Sequence, residues 1–414
     1  MTFEELYNRL LKSAVNGLLA QELDLVREQG YDPHHLSCLL QPEKYPLVIR
    51  TGACDCSSER QERCRARCYF DALFIQDGGI AVDPAACVGC GDCIRSCEEK
   101  RLTESRDVLP ALNALRNSDA PVYAMIAPAF VNQYSPAVTP DKLRAAFKKI
   151  GFTGMLEVAL FADILTLKEA LEFDQNIQTE EDFQLTSCCC PMWIGMIRKV
   201  YAQLMPYVPA SVSPMIACGR AIKKLHPGAV TVFIGPCLAK KAEAREADVA
   251  DSTDFVLTFQ EIQDVFDYAG IRLDEVEEDE RDHSSKAGRI YAGAGGVSQA
   301  VQSTLERIHP DKPIHISTRH ADGVPDCRKM LNDILEGNGC ANFFEGMGCL
   351  GGCVGGPKAI LPREEGRADV VRYGAEATYE TPIDNPYVIA ILHQLGIDTI
   401  ESLIEQSDIF VRKF

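Results

Sequence analysis

The chain has 414 residues, 46% of them hydrophobic and 25% charged, with a formal net charge of −18. That length suits two or three domains around an ample core, and the acidic balance argues against a nucleic-acid-binding surface over most of the chain. No run approaches the roughly 18 uninterrupted apolar residues that a membrane span requires. The first residues lack the basic start, apolar stretch and small-residue cleavage site of a signal peptide, and no twin-arginine start is present, so the cytoplasm is the expected compartment. With 18 cysteines in such a chain, metal ligation is expected rather than disulfides.

Residues 1–45 read as an amphipathic helical segment. Residues 46–105 are Cys-rich and poor in periodic segments, so they need metal to hold them together. Here Cys87, Cys90, Cys93 and Cys97 show C-x2-C-x2-C-x3-C spacing. Thiolates at these intervals wrap three corners of one cube while the fourth reaches a neighbouring cube, as in bacterial 4Fe–4S ferredoxins. A zinc knuckle fits such tight packing poorly. Upstream, Cys54, Cys56, Cys64 and Cys68 follow the less usual C-x-C-x7-C-x3-C spacing. Crossed ligation then predicts one cluster on Cys54, Cys56, Cys64 and Cys97 and a second on Cys87, Cys90, Cys93 and Cys68. The segment therefore resembles a small α+β ferredoxin-like domain with two 4Fe–4S clusters. Arg60, Arg63, Arg65 and Arg67 surround the first cluster, either to steer an acidic electron carrier or simply to offset local carboxylate and cluster charge.

After a connector at 106–120, residues 121–414 alternate strands and helices. Strands are expected at Pro121–Pro128, Gly154–Leu160, Ala229–Gly235 and Phe255–Phe259. Helices are expected at Lys142–Gly151, Ala162–Phe173, Gln260–Gly270, Gly296–Ile308 and Arg328–Gly337. This alternation predicts an α/β domain of parallel sheets flanked by helices, with ligands collecting at loops past the strand ends. Three of its segments carry chemistry: Leu185-TSCCCPMW, Ile234-GPCLAKKAEA and Phe343-FEGMGCLGGCVGGP. They offer Cys188–Cys190, Cys237, Cys349 and Cys353. Four thiolates from separate loops suggest a buried 4Fe–4S site, although zinc is possible on ligand count alone.

These segments are similar to the three signature motifs of FeFe (iron-only) hydrogenases, in the same order and behind a ferredoxin-like module. Ala127-PAF, Asp254-FVLT and Tyr291-AGAGGV are further family-like stretches. The resemblance implies reversible oxidation of H2 to protons and electrons. The site would be an H-cluster, a 4Fe–4S cube bridged to a diiron unit with CO, cyanide and azadithiolate ligands. Aligned on Pro191 and Trp193, it implies Cys190, Cys237 and Cys349 as cube ligands and Cys353 as both cube ligand and bridge. Cys189 would be the proton-exchanging thiol, and Lys240 a donor to a cyanide. Met347 and the Ala127–Pro128 turn would lie beside the diiron unit. Glu169 and Glu172, on one face of a helix, would relay protons; without the resemblance they read as two solvated carboxylates. Implied partners are H2, protons, an electron carrier such as ferredoxin, and maturation proteins delivering the diiron unit.

The chain also departs from the pattern. The triple cysteine allows Cys188 to be the relay instead of Cys189. Gly235 stands where a methionine is common, Met215 where a glutamine is, and Pro209 where a relay serine is, with Ser211 or Ser213 as substitutes. These features mark a divergent branch. Two rivals remain: a hydrogen-sensing relative with slow turnover, and a hydrogenase-like iron–sulfur assembly protein lacking the diiron unit. Cys38, Cys218, Cys327 and Cys340 are left over and expected to be buried and inert.

Overall fold

The computed structural model describes residues 1–186, 189–279, 281–405 and 407–412. The N-terminal stretch forms three helices, Phe3–Val15, Leu19–Glu28 and Pro33–Leu40. Thr2 and Glu5 cap the first through reciprocal bonds, and its Leu6, Leu10, Leu11 and Ala14 stripe is buried. That stripe joins the core of the large α/β region rather than forming one of its own. The expected connector contains a helix, Val108–Asn117, whose Val108, Leu109 and Leu112 enter the same core.

Four short strands follow: β1 (Val48–Arg50), β2 (Leu73–Gln76), β3 (Gly79–Val82) and β4 (Leu102–Glu104). β1 pairs with β4 and β2 with β3, both antiparallel. Helices Ser58–Ala66 and Asp92–Ser96 accompany them. The module's own core cluster consists of just Val48, Leu73, Ile80 and Leu102, with five cysteine side chains among the groups packed around it, while Ile49, Phe70 and Val88 join the cores of the large region. So thin a core is far short of what folds unaided.

The remaining strands are β5 (Val122–Ile126), β6 (Gly154–Glu157), β7 (Gln184–Leu185), β8 (Val230–Gly235), β9 (Phe255–Thr258), β10 (Thr318–Asp322) and β11 (Phe343–Met347). Four make a parallel sheet in the order β6-β5-β8-β9. The other three make a second parallel sheet, β10-β11-β7, which the sequence reading did not anticipate. Helices pack on these strands, giving the expected α/β architecture with its apolar central strands. The expected strand at 154–160 stops at Glu157, and its helix starts earlier, running Ala159–Asn176. Residues 158–165 are apolar but for Asp163, and periodicity alone cannot divide such a run between strand and helix. The helix expected at 328–337 begins at Val324, with Pro325 in its first turn.

Every strand end that matters points the same way. β5 runs into Ala127–Pro128, β8 into Pro236–Cys237, β11 into Gly348–Cys349, and β7 into the segment holding Cys189 and Cys190. The carboxyl ends of two parallel sheets thus deliver all three motifs to one region. Among the described residues, no helix is long and apolar enough to cross a membrane.

Candidate iron–sulfur and active site

The two expected cysteine quartets of the N-terminal module are brought together as crossed ligation requires. Cys54, Cys56, Cys64 and Cys97 line one cavity, and Cys68, Cys87, Cys90 and Cys93 line another. In the second, burial pushes the Cys93 thiol up to about 12, and the neighbouring Cys90, Cys87 and Cys68 add to it. The first cavity is also lined by Arg50, Arg60, Arg63, Arg67 and Arg101. Arg60 pairs with Glu98 at 3.1 Å and approaches Glu99 at 3.8 Å, so part of this positive charge is answered locally.

The second constellation lies past the parallel strands. Cys190 caps the Pro191–Val200 helix, and its Sγ accepts a hydrogen bond from the Gly348 amide at 3.3 Å. Cys237 precedes the Ala239–Ala244 helix, whose first amides, Ala239 and Lys240, bond its sulfur. Burial pushes the Cys237 thiol up to about 11 and Cys353 up to about 12, and Cys349 also rises well above the ordinary thiol range. Each of these three feels Cys190, and Cys349 and Cys353 feel Cys237. A single zinc ion needs its donors about 2.3 Å from one point, and among the described residues no three His, Cys, Asp or Glu are so arranged. Thiols gathered past the ends of the parallel strands, each raised by burial and by the charge of its neighbours, suit a cationic iron–sulfur cube, which they would hold as ligands.

Glycine is required where the loops touch. Gly352 has φ +87° and bridges Gly293, and a Cβ there would come within 2.7 Å of the Ala294 amide nitrogen. Gly346 on β11 lies against the indole of fully buried Trp193, leaving no space for a methyl group. Trp193 holds its place by donating from Nε1 to the Thr186 carbonyl at 3.4 Å. Gly346→Ala should therefore cost about 1–3 kcal/mol by overpacking. It should also lower the iron bound per chain, because β11 leads to Gly348 and Cys349; urea denaturation and iron analysis check both.

Cys189 lies beside this quartet. Burial raises its pKa well above the usual range, and Cys190, Glu345, Glu169 and Cys353 push it in the same direction, so it is held as a thiol. The alternative relay, Cys188, lies outside the described residues. Lys240 is buried and donates to Glu243 Oε2 at 2.7 Å, while its ammonium also feels Cys237 and Cys353. Met347 is 2% exposed at the end of β11, and Ala127 is buried where β5 ends, with Pro128 next to it opening a 3-10 turn. A Cβ at Gly235 would run against the Ala127 methyl and the Phe233 ring, so a side chain there needs a rearranged turn.

Glu169 and Glu172 are 1% and 7% exposed, which overturns the reading of two solvated carboxylates. Glu169 acts on both Cys189 and Tyr291, whose hydroxyl meets Thr166 Oγ at 2.8 Å. Glu172 pairs instead with Lys168. Sequence reasoning missed Glu345, which accepts the amides of Gly295 at 2.9 Å and Ser298 at 2.8 Å and faces the thiols from β11. It also missed Lys168 and Glu243. The only signal was charge inside apolar or Gly-rich segments. Of the leftover cysteines, Cys38, Cys218 and Cys327 are buried as expected, but Cys340 is exposed.

An α/β protein with thiol clusters at the ends of two parallel sheets is the class that this fold and site define. The model of the iron-only hydrogenase large subunit, C-terminal domain, matches residues 120–357, and the chain belongs to that family. It is 26% identical over 300 residues to Iron hydrogenase 1 of Clostridium pasteurianum, covering 62% of this chain and 52% of that protein. The chain thus spans about half the length of that relative. It is also 24% identical to the cytosolic iron-sulfur assembly component 3 of Bos taurus, over 77% of this chain and 82% of that one. Its fold matches an FeFe-hydrogenase variant from Chlamydomonas reinhardtii with a TM-score of 0.61 at 20% identity, covering 75% of this chain and 98% of the other.

Proposed function

We propose that this chain is an FeFe-hydrogenase, interconverting H2 with two protons and two electrons. Cys190, Cys237, Cys349 and Cys353 would hold the cube, with Cys353 bridging to the diiron unit. When bound, the H-cluster supplies the redox chemistry of H2. The chain's own residues orient it and move protons. Cys189, held protonated, gives and takes the proton at its Sγ, with Glu169 next on the route towards Glu172. Lys240, anchored by Glu243, would offer its remaining N–H groups to a cyanide of the diiron unit, and the buried Met347 and the Ala127–Pro128 turn would keep water from it. The two cysteine quartets of a ferredoxin-like domain at 46–105 would hold two 4Fe–4S clusters, which would supply electron transfer. The arginines of the first cavity suit an acidic ferredoxin as partner.

The observation that carries this reading is Cys189, a half-buried fifth thiol close enough to Cys190, Cys353, Glu169 and Glu345 to feel their charge. A protein that only holds cubes has no use for a protonated fifth thiol facing two buried carboxylates. The second reading, an assembly protein without the diiron unit, is favoured by the similarity to the Bos taurus assembly component over most of the chain. Infrared spectroscopy of protein supplied with the diiron precursor separates the two. CO and cyanide bands that change under H2 are expected. A silent spectrum from an iron-replete sample overturns the hydrogenase reading in favour of the assembly one, and slow turnover with the bands present points to a sensing relative.

A further inference from the structure

The Ala159–Asn176 helix carries a charged group that the proposed route does not yet use. Lys168 has 0% exposure, among the least accessible lysines a folded chain can have. Its ammonium donates to Glu172 Oε1 and, at 2.7 Å, to Ser211 Oγ. The other carboxylate oxygen, Glu172 Oε2, is buried with no hydrogen-bond partner among the described residues. Ser213, the other candidate substitute, is spent as a helix cap on the Ile216 amide.

The surroundings leave Lys168 as the charge that faces Glu172. The packed Pro214–Leu225 helix turns Arg220 and Lys223 to Asp251 and Asp254, and Lys224 to the Leu395 carbonyl. Lys286 and Arg289 pair with Glu380 and Asp282. On the Gly296–Ile308 helix, Arg307 pairs with Asp384 and Glu306 accepts from Gln302. Beyond these, His393 pairs with Asp398, and Glu401 is exposed. A buried pair of this kind contributes little net stability compared with apolar residues of the same volume. Its presence asks for another role.

We propose that Lys168 is a positioning residue of the proton route, fixing Glu172 as a carboxylate and Ser211 as its neighbour so that Glu172 Oε2 stands as the open acceptor. The proposal rests on the hydrogenase reading. A proton that reaches Oε2 forms the carboxylic acid, while the Lys168 ammonium keeps its bonds to Oε1 and to Ser211 Oγ. The same proton then leaves for Glu169, restoring the carboxylate–ammonium pair, so no charge accumulates in the helix. Burial pushes the Glu172 carboxyl up, and Lys168 pulls it back towards the ionised form. Without Lys168 the acid would hold its proton and the route would stall.

The test is infrared spectroscopy of the carboxylic-acid C=O stretch in the full chain carrying its 4Fe–4S clusters, which needs no diiron unit. Lys168→Met should show an acid band at neutral pH that is absent from wild type and from the Lys168→Met/Glu172→Gln double variant. In matured protein, Lys168→Met should lower turnover by about 10²-fold, and Lys168→Arg should restore most of it. If Lys168→Met shows no such band, the proposal is overturned. Should that variant fail to fold, the wild-type minus Glu172→Gln difference spectrum decides: an acid band at neutral pH in wild type overturns the proposal, and a carboxylate supports it. A missing CO and cyanide spectrum would instead count against the hydrogenase reading, so the two failures are read in different bands.

Discussion

Cys189→Ala is expected to lower H2 turnover by about 10²–10⁴-fold, the range a positioned proton-transfer group commands, while the CO and cyanide infrared bands persist. The reason is geometric. Cys189 is adjacent in sequence to Cys190, whose sulfur takes the Gly348 amide, while Cys189 feels Glu169 and Glu345 as well as Cys190, so on the proposed assignment Cys190 is the ligand and Cys189 stays free to carry a proton. Alanine keeps the turn and removes the proton. Parallel measurement of Cys188→Ala tests the register: turnover that survives in Cys189→Ala but disappears in Cys188→Ala assigns the relay to the earlier cysteine.

A second large effect is expected away from the thiols. Asp163, 0% exposed, lies one turn into the helix that carries Lys168, Glu169 and Glu172. Its carboxylate accepts the Ser285 amide at 2.7 Å, the Ser285 hydroxyl, the Gly288 amide at 2.8 Å and Asn385 Nδ2 at 3.3 Å. These bonds tie the helix to the Lys286–Arg289 turn, where a Cβ on Gly288 would overlap the Ala159 carbonyl. Asp163→Ala leaves these donors buried without an acceptor and should cost about 3–5 kcal/mol. A shift in the urea midpoint measures this, and an unchanged midpoint would mean that water or a local rearrangement satisfies the donors. Because Glu169 stands less than two turns further along, proton transfer should fall as well, even at urea-free stability.

Much of the molecule could be read from its chain because the informative patterns are local. The intervals between Cys87, Cys90 and Cys93 suit three corners of one cube and the step to Cys97 a reach to its neighbour, and reading them needs no knowledge of the fold. The same holds for the alternation that produced β5, β8 and β9 and the helices after them. The sheet β10-β11-β7 escaped because none of its strands alternates cleanly. β7 has two residues, β10 is polar and partly exposed, and β11 carries Glu345 at its centre. A charged residue in a short apolar strand argues locally for a loop. Only the amides of Gly295 and Ser298, some fifty residues earlier in the chain, make a buried carboxylate tolerable there.

The sequence by itself singled out the cysteines of 54–68 and 87–97 as candidate metal ligands, because ligand spacing is a property of neighbouring residues. It also determined the α/β alternation, because hydrophobic periodicity is likewise local. Tertiary structure alone decided that Glu169, Glu172 and Lys168 are buried rather than solvated, that Ser211 and not Ser213 meets Lys168, and that Glu243 holds Lys240. Those assignments depend on which distant surface covers a helix face, and a charge is stable in the interior only when that surface brings its partner.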